Sequence, residues 1–166
     1  RRGFMVHSRR RLRQAHKASL DVLLVFADLD GLKLINDTYG HEAGDVAIQA
    51  AARFMQQAFR RSDVLGRLGG DEFAALTDSS SSRIRHDLKR RVESAVRQFN
   101  LTGGNRFELS ISLGFASYAS NRSESLDSLL KRADHELYQN KRSRKTAEQL
   151  VLWDSLVPFG DGSSDT

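Results

Sequence analysis

A continuous apolar run from Val22 to Phe26 is the feature that most restricts how this chain can fold. Successive side chains of a strand point to opposite faces, so a strand that is apolar at every position must be covered on both sides. Asp28 and Asp30 follow the run directly. The run therefore predicts a sheet between layers of helices, with carboxylates where its buried strand reaches solvent.

Three further segments carry strand signals. In "DVLGRLGGDEFAAL", Gly69 and Gly70 separate two apolar segments, which predicts an antiparallel hairpin. "FELSISLGFASYA" alternates apolar and polar residues, which predicts a half-buried strand, and "QLVLW" is expected to form a last strand. Strands mixed with helices in this order predict an α/β (α+β) fold with a central antiparallel or mixed sheet.

Helices are predicted where apolar residues recur at three- and four-residue spacing. The stretch "GLKLINDTYGHEAGD" is predicted to be a short helical turn and a loop, since three glycines interrupt it. Ser82 and Ser125 are the expected caps of the last two helices. The predicted helices run from about Phe4 to Ala18, from Val46 through Phe59, from Ser82 through Phe99 and from Ser125 to about Arg142.

Composition excludes several classes of protein. The 166 residues are 39% hydrophobic and 28% charged, which is typical of one soluble globular domain. There is no apolar run of membrane-spanning length and no secretory signal pattern. The absence of cysteine excludes disulfides and thiolate metal sites and favours a reducing, cytoplasmic location. Because the chain starts at Arg1, we interpret it as part of a longer protein, which is itself either cytoplasmic or membrane-anchored.

The net charge of +5 favours polyanionic ligands such as nucleic acid, anionic membrane or nucleotide phosphates. The excess is concentrated in "RRGFMVHSRRRLRQAHK" and "KRSRK", which are alternatively two solvated helix faces. The segment "SISLGFAS" offers few aromatic residues for base stacking, so we do not expect nucleic acid to be a partner.

Asp28 and Asp71 are candidate metal ligands. If the hairpin neighbours the buried strand, the two carboxylates converge, and they repel each other unless a cation lies between them. Oxygen ligands without His or Cys favour Mg²⁺ (or Mn²⁺), with nucleotide phosphates and water completing the shell. The alternative is that Asp28 caps the following turn and Asp71 is a turn residue.

Two neighbouring groups fit a nucleotide. Gly31 and Leu32 open a helical turn whose free N–H groups can meet an anion, and Lys33 adds charge there. Asn36 and Asp45 can together match the edge of guanine, because a carboxylate accepts from N1–H and N2–H₂ while an amide donates to O6. The alternatives are an ordinary loop with a solvated lysine, and turn and cap residues.

Several motifs in order make the chain resemble the GGDEF domain, the diguanylate cyclase family. "GGDEF" stands intact at Gly69 to Phe73, and "FADLDGLKLINDTYGHEAGD" is similar to the family's first strand and following loop. Downstream, "LSISLGFAS" resembles the family's serine-isoleucine-glycine strand and "LLKRADHELYQNK" its penultimate helix. The resemblance covers about Arg1 to Trp153.

The resemblance implies a palm-like fold, as in class III nucleotide cyclases, with a mainly antiparallel five-stranded sheet. It implies a homodimer that joins two GTP molecules into cyclic di-GMP and two pyrophosphates. The implied metal ligands are Asp28, Asp71 and the carbonyl of Leu29, and the implied catalytic residues are Asp71, Glu72 and Lys33. The residues implied to bind substrate are Asn36 and Asp45 for guanine, Gly69 and Gly70, which leave room for the nucleotide, and Gly31, Leu32, Lys33, Lys141 and Lys145 for the phosphates.

Arg60 and Asp63, in "RRSD", resemble the family's inhibitory product site, to which Arg91 is expected to contribute. An exposed ion pair at a helix end is the alternative.

The chain departs from the family where Arg144, Lys145 and Thr146 replace the usual Gly-Arg-Asn, which weakens the expected phosphate contact because lysine lacks the planar fork. The family's usual opening residues are also missing before "RRGF".

We therefore expect a GGDEF domain over residues 1–154, truncated at its N-terminal end, and a polar flexible tail over residues 155–166. The expected activity is diguanylate cyclase with product inhibition, controlled by an upstream sensor or regulatory domain. The alternative is a catalytically weak module that binds GTP or cyclic di-GMP as a sensor.

Overall fold

The computed structural model describes residues 1–78, 81–102, 104, 106–121 and 124–156, with the backbone alone over 145–156. Helices and strands are interspersed along these ranges in a mixed α+β fold. In chain order they are α1 (Arg2–Lys17), β1 (Val22–Leu29), α2 (Leu32–Tyr39), α3 (His41–Ala58), β2 (Val64–Gly69), β3 (Glu72–Asp78), α4 (Ser82–Leu101), β4 (Ile111–Tyr118) and α5 (Leu126–Leu156).

The described strands form one antiparallel sheet in the order β2-β3-β1-β4. Strand β1 is an inner strand of the sheet, and its side chains are covered on both faces, as its apolar sequence predicted. The residues that face α2, α3 and α4 are Leu23, Val25, Ala27 and Leu29, and those that face α1 and α5 are Val22, Leu24 and Phe26. The register sets Asp28, near the end of β1, opposite Glu72 on one side and Ser112 on the other.

The prediction of a fifth strand at "QLVLW" is wrong. These residues belong to α5, which continues from Leu126 to Leu156 instead of ending near Arg142. The sequence has no glycine or proline between these positions, and the first proline is Pro158, so nothing in it stops the helix earlier. A short apolar run by itself does not distinguish a strand from a helix. Within the described ranges, no helix is both long and apolar enough to cross a membrane.

Three local predictions also need correction. The expected turn and loop after β1 is a helix of eight residues, α2, and α3 begins at His41 rather than Val46. Gly31 and Gly40, with φ of 73° and 87°, lie at the helix boundaries and not inside the helices, which is why they do not interrupt them. Ser81 rather than Ser82 caps α4, since its Oγ accepts a hydrogen bond from the Ile84 N–H at 3.3 Å.

Gly114 of β4 allows α5 to lie directly on the sheet. A Cβ at this position would collide with the carbonyl oxygen of Ala133 and lie 2.7 Å from the Cβ of Leu137. One turn further along α5, the Asn140 side-chain amide donates to the carbonyl oxygen of Leu113 at 3.1 Å. These contacts fix the position of α5 along β4 and therefore the position of Lys141, which follows Asn140.

Ser8 of α1 is fully buried, and its Oγ has no hydrogen-bond partner among the described residues. A buried hydroxyl without a partner costs free energy. We expect Ser8→Ala to raise the free energy of unfolding by about 1 kcal/mol, measured by denaturant unfolding. Ser94→Ala, at an exposed position in α4, measures the gain in helix propensity alone. A smaller gain at Ser8 than at Ser94 would contradict the expectation.

Candidate active site

The turn between β2 and β3 lies against the end of β1. The N–H of Leu29 donates to the carbonyl oxygen of Asp71 at 3.0 Å, one residue beyond the pair formed by Asp28 and Glu72. The charge of Asp71 is close enough to act on the carboxylate of Asp28. The structure thus brings together Asp28, Leu29, Asp71 and Glu72, which lie on two segments of the chain.

Lys141 of α5 reaches into this acidic site. Its Nζ lies 2.5 Å from Oδ1 of Asp28 and 2.9 Å from Oδ1 of Asp30. The three side chains are between 15% and 25% exposed, so the ion pairs are largely shielded from water. The ammonium group therefore lies between the two carboxylates that end β1.

Burial and neighbouring charges act differently on the two carboxylates. Burial raises the pKa of Asp28 above its ordinary value, and the negative charges of Asp71 and Asp30 raise this pKa further. Lys141 lowers the pKa but does not cancel the rise. Burial also raises the pKa of Asp30, but hydrogen bonds from Lys141, Ser110, Arg144 and Ser112 outweigh it, so this pKa is lowered. Asp28 is therefore the carboxylate that still gains from a further cation.

The two serines and the arginine that bond to Asp30 were given no role from the sequence. Its Oδ2 accepts from the Ser110 hydroxyl at 2.7 Å and from the Arg144 guanidinium at 3.0 Å, and both carboxylate oxygens lie 2.9 Å from the Ser112 hydroxyl. One signal was available, because two serines at alternate positions of a strand face the same side of a sheet. The contact with Arg144 had no such local signal.

The donor set fits a divalent metal ion. No group of three or more His, Cys, Asp or Glu side chains in the described part of the chain could hold a metal ion without other ligands. Mg²⁺ commonly takes only one or two carboxylates and completes its shell with nucleotide phosphates and water. Asp28 and Asp71, with the carbonyl of Leu29, provide such a partial set.

The start of α2 lies next to this acidic site. Gly31 precedes the helix in a left-handed conformation, and the first intrahelical bond is donated by Ile35 to the carbonyl of Gly31 at 3.1 Å. The earlier amides of this turn have no intrahelical acceptor. Leu32 is half-buried and Lys33 is exposed. The geometry leaves backbone donors and one ammonium group for an anion.

Asn36 and Asp45 lie on helices that contact each other. A Cβ on Gly44, the residue before Asp45, would collide with the Asn36 amide. Asn36 is half-buried and Asp45 is exposed. The absence of a side chain at Gly44 thus makes room for the amide that we expect to contact guanine.

The backbone of the hairpin turn does not itself require glycine at positions 69 and 70, although the hairpin prediction was based on these two glycines. Neither has a positive φ. A Cβ on Gly70 would meet no described protein atom within 4 Å, and one on Gly69 would lie 3.5 Å from a carboxylate oxygen of Glu72. The Nε–H of Arg67 holds the turn by donating to the carbonyl of Gly70 at 2.9 Å. That these glycines leave room for a nucleotide stays a prediction.

The residues of the expected inhibitory site line one cavity of about 80 Å³, to which Thr77 and Asp78 at the end of β3 also belong. Asp63 accepts from the backbone N–H of Arg60 at 2.7 Å, and the Arg91 guanidinium donates to the carbonyl of Ala58 at 3.1 Å. The structure thus brings Arg60, Asp63 and Arg91 together.

Lys145 lies in α5, but its side chain is outside the described part of the chain, as is most of the expected tail.

Comparison with known proteins identifies the class to which this fold and site belong. The family model described as diguanylate cyclase, GGDEF domain, matches residues 1–147. The chain is 33% identical to diguanylate cyclase A of Treponema denticola over 76% of this chain and 34% of that protein. It is also 33% identical to the cyclic di-GMP phosphodiesterase NbdA of Pseudomonas aeruginosa, over 81% of this chain and 17% of that protein.

Among solved structures, the GGDEF domain of DgcB from Caulobacter crescentus, in complex with c-di-GMP, is similar with a TM-score of 0.77 and 26% identity. The match covers 86% of this chain and 85% of that one. The chain belongs to the GGDEF family, the diguanylate cyclase domain, which confirms the resemblance and the mixed α+β fold. It spans about a third or less of the lengths of these two curated relatives.

Proposed function

We propose that this domain is a diguanylate cyclase that condenses two GTP molecules into cyclic di-GMP and two pyrophosphates. The observation that carries the proposal is the meeting of Asp28, Leu29 and Asp71 beside the free start of α2. The site combines partial ligation for a divalent cation with backbone donors for phosphate. Membership in the GGDEF family supports the same conclusion.

Asp28, Asp71 and the Leu29 carbonyl hold a Mg²⁺ or Mn²⁺ ion in this proposal. When bound, such an ion lowers the pKa of the attacking hydroxyl and neutralises charge on the triphosphate. The phosphates are bound by the backbone amides after Gly31 and by the side chains of Lys33, Lys141 and Lys145. The family resemblance implies these contacts. Asn36 and Asp45 read guanine, and Gly69 and Gly70 leave room for the nucleotide.

The reaction joins two nucleotides that lie on different protomers of a homodimer. The 3′-oxygen of one GTP bonds to the α-phosphorus of the other, the bond from that phosphorus to pyrophosphate breaks, and Glu72 assists removal of the hydroxyl proton. A second round in the opposite direction closes the ring. Because each domain holds one GTP, dimerisation supplies the orientation of the two reactants. Regulation by an upstream sensor or regulatory domain is part of the proposal.

Incubation of the purified chain with GTP and Mg²⁺ tests this function. We expect cyclic di-GMP and two pyrophosphates per product, measured by chromatography and a pyrophosphate assay. The rate per chain should rise with protein concentration, because turnover needs two protomers. ATP should be a poorer substrate by roughly 1,000-fold, since it leaves the guanine-reading groups unpaired. Turnover of ATP at a similar rate would contradict the guanine assignment.

Product inhibition at Arg60, Asp63 and Arg91 belongs to the same proposal. The cavity that these residues line also contains Asp78 and Asp87, so an incoming product meets both guanidinium groups and carboxylates. Guanidinium groups suit guanine and phosphate edges, and carboxylates can accept from the N1–H and N2–H₂ groups of guanine.

The second candidate function is a GTP or cyclic di-GMP sensor without turnover. It is favoured by Arg144, Lys145 and Thr146, which replace the family's usual Gly-Arg-Asn, and by similarity to a protein named as a phosphodiesterase. Calorimetric titration with cyclic di-GMP alongside the turnover assay separates the two. Tight binding of cyclic di-GMP with no product from GTP would support the sensor and exclude the cyclase.

A further inference from the structure

The two aspartates that end β1 have different surroundings, and this difference indicates different roles. We propose that Asp30 is a positioning residue that retains Lys141 and Arg144 beside the metal position when a divalent ion displaces Lys141 from Asp28. The inference rests on the proposed function, because it concerns the entry of metal and triphosphate into that site. It assigns a role to two residues, Asp30 and Arg144, that the sequence motifs left without one.

Asp30 has little capacity left for a metal ion. Its oxygens accept from two serine hydroxyls, one ammonium and one guanidinium group, at distances from 2.7 to 3.0 Å. A carboxylate offers about four lone-pair sites, so these donors nearly saturate it. Ser112 lies in β4 and Ser110 directly precedes this strand, so their hydroxyl groups anchor Asp30 to the sheet. Asp30 is therefore held in place and charged, as a holder of cations should be.

Asp28, unlike Asp30, accepts few hydrogen bonds. The one hydrogen bond that its carboxylate makes within the described residues is the bond from Lys141 at 2.5 Å. The ammonium bonds to Oδ1, so a metal ion ligated by either oxygen of this carboxylate would lie within a few ångströms of a positive charge. A divalent ion and an ammonium group repel each other strongly at such separations. We therefore expect Lys141 to move away from Asp28 when a metal ion binds there.

Asp30 determines where the displaced ammonium goes. The Nζ of Lys141 already bonds to Asp30 at 2.9 Å, so the flexible side chain can release Asp28 and keep its second partner. Arg144 bonds to the same carboxylate at 3.0 Å and to Ser110 at 3.2 Å. Both cations then remain next to the metal position, where the charge of a triphosphate arrives.

Binding of Mn²⁺ without nucleotide tests the competition between Lys141 and the metal. Titration followed by electron paramagnetic resonance should show that Lys141→Met binds Mn²⁺ about tenfold more tightly than the wild type. Lys141→Arg should keep the weaker affinity because it keeps a cation. Lys131→Met removes the same charge from an exposed position of α5 and should leave the affinity unchanged. An unchanged affinity in Lys141→Met would overturn the proposal.

The same variant should have the opposite effect on nucleotide. A GTP analogue with a methylene group between its α- and β-phosphorus atoms cannot release pyrophosphate, so its affinity is measurable at equilibrium. In the presence of Mn²⁺, Lys141→Met should bind this analogue about tenfold more weakly. Damage to the fold would weaken both ligands, whereas displacement of a resident cation changes them in opposite directions. Weakening of both would therefore overturn the proposal.

Asp30→Asn tests the holding role directly. Without the second carboxylate, Lys141 bonds only to Asp28, so Mn²⁺ alone should bind about tenfold more weakly. In the Lys141→Met background the same substitution should cost less than about threefold. Equal losses in both backgrounds would show that Asp30 acts only through its charge and would overturn its positioning role. If Asp30→Asn does not fold, Ser112→Ala decides in its place, because it removes a hydrogen bond that holds Asp30. Its loss of Mn²⁺ affinity should be larger in the wild-type background than in the Lys141→Met background, and equal losses would overturn the positioning role.

Failure of this inference can be told apart from failure of the proposed function. Cyclic di-GMP synthesis by the wild type together with unchanged Mn²⁺ affinity in Lys141→Met overturns the inference alone. Absence of both Mn²⁺ binding and GTP turnover in the wild type overturns both.

Discussion

Asp71→Asn should lower the rate of cyclic di-GMP formation by about 1,000-fold, which corresponds to about 4 kcal/mol of transition-state stabilisation. Asparagine keeps the shape of the side chain and removes the charge that we assign to metal binding. The backbone contact between the Asp71 carbonyl and the Leu29 N–H does not involve the side chain, so the turn should keep its position.

The same variant should lose none of its stability. The charge of Asp71 raises the pKa of Asp28, which means that the two carboxylates repel each other in the nucleotide-free protein. Removing one of them should leave the free energy of unfolding unchanged or slightly raised, as measured by chemical denaturation. Asp134→Asn is a matched control, because Asp134 is exposed on α5 and forms no ion pair within the described residues. Turnover of Asp71→Asn near the wild-type rate would show that Asp71 does not hold the metal.

Gly114→Ala should lower the free energy of unfolding by roughly 3 kcal/mol, the upper part of the range for an overpacked core. The added methyl group would collide with the backbone carbonyl of Ala133, and the neighbouring Leu137 cannot move independently of its helix. The helix α5 must therefore shift away from β4 as a unit.

Gly3→Ala is a control for which the free energy of unfolding should rise rather than fall. Gly3 lies in α1, and a Cβ there would meet no described atom within 4 Å. Alanine in a helix is favoured over glycine, so the free energy of unfolding should rise by up to about 1 kcal/mol. If denaturant unfolding shows both glycine variants to be equally stable, the contact between β4 and α5 is looser than the structure indicates.

The central elements of the fold follow from local sequence patterns. The run from Val22 to Phe26 predicted a strand covered on both faces because its side chains alternate between them, and β1 is that strand. The hairpin around Gly69 and Gly70 was likewise predicted correctly. The predictions failed where a pattern had two solutions: Gly31 and Gly40 mark helix boundaries instead of a loop, and the apolar run at "QLVLW" continues a helix.

The candidate site was only partly visible in the sequence. Asp28 and Asp71 stood out because one ends the buried strand and the other lies at the hairpin turn, and they were paired on the expectation that the hairpin neighbours that strand; the family resemblance supported the same pair. The role of Lys141 was expected to be phosphate binding, with no indication that its ammonium bonds to Asp28 in the nucleotide-free protein. Asp30 and Arg144 were not connected at all, because no periodicity relates residues 114 positions apart.

By itself, the sequence determined the buried strand β1, the hairpin of β2 and β3 and the strand β4, the acids that end β1, and the family to which the chain belongs. Those properties depend on neighbouring residues and on motifs of fixed spacing. Only the tertiary structure decided that Lys141 and Arg144 neutralise Asp28 and Asp30. That pairing depends on how α5 lies across β4 at Gly114, and such a contact between distant segments exists only after the layers have packed together.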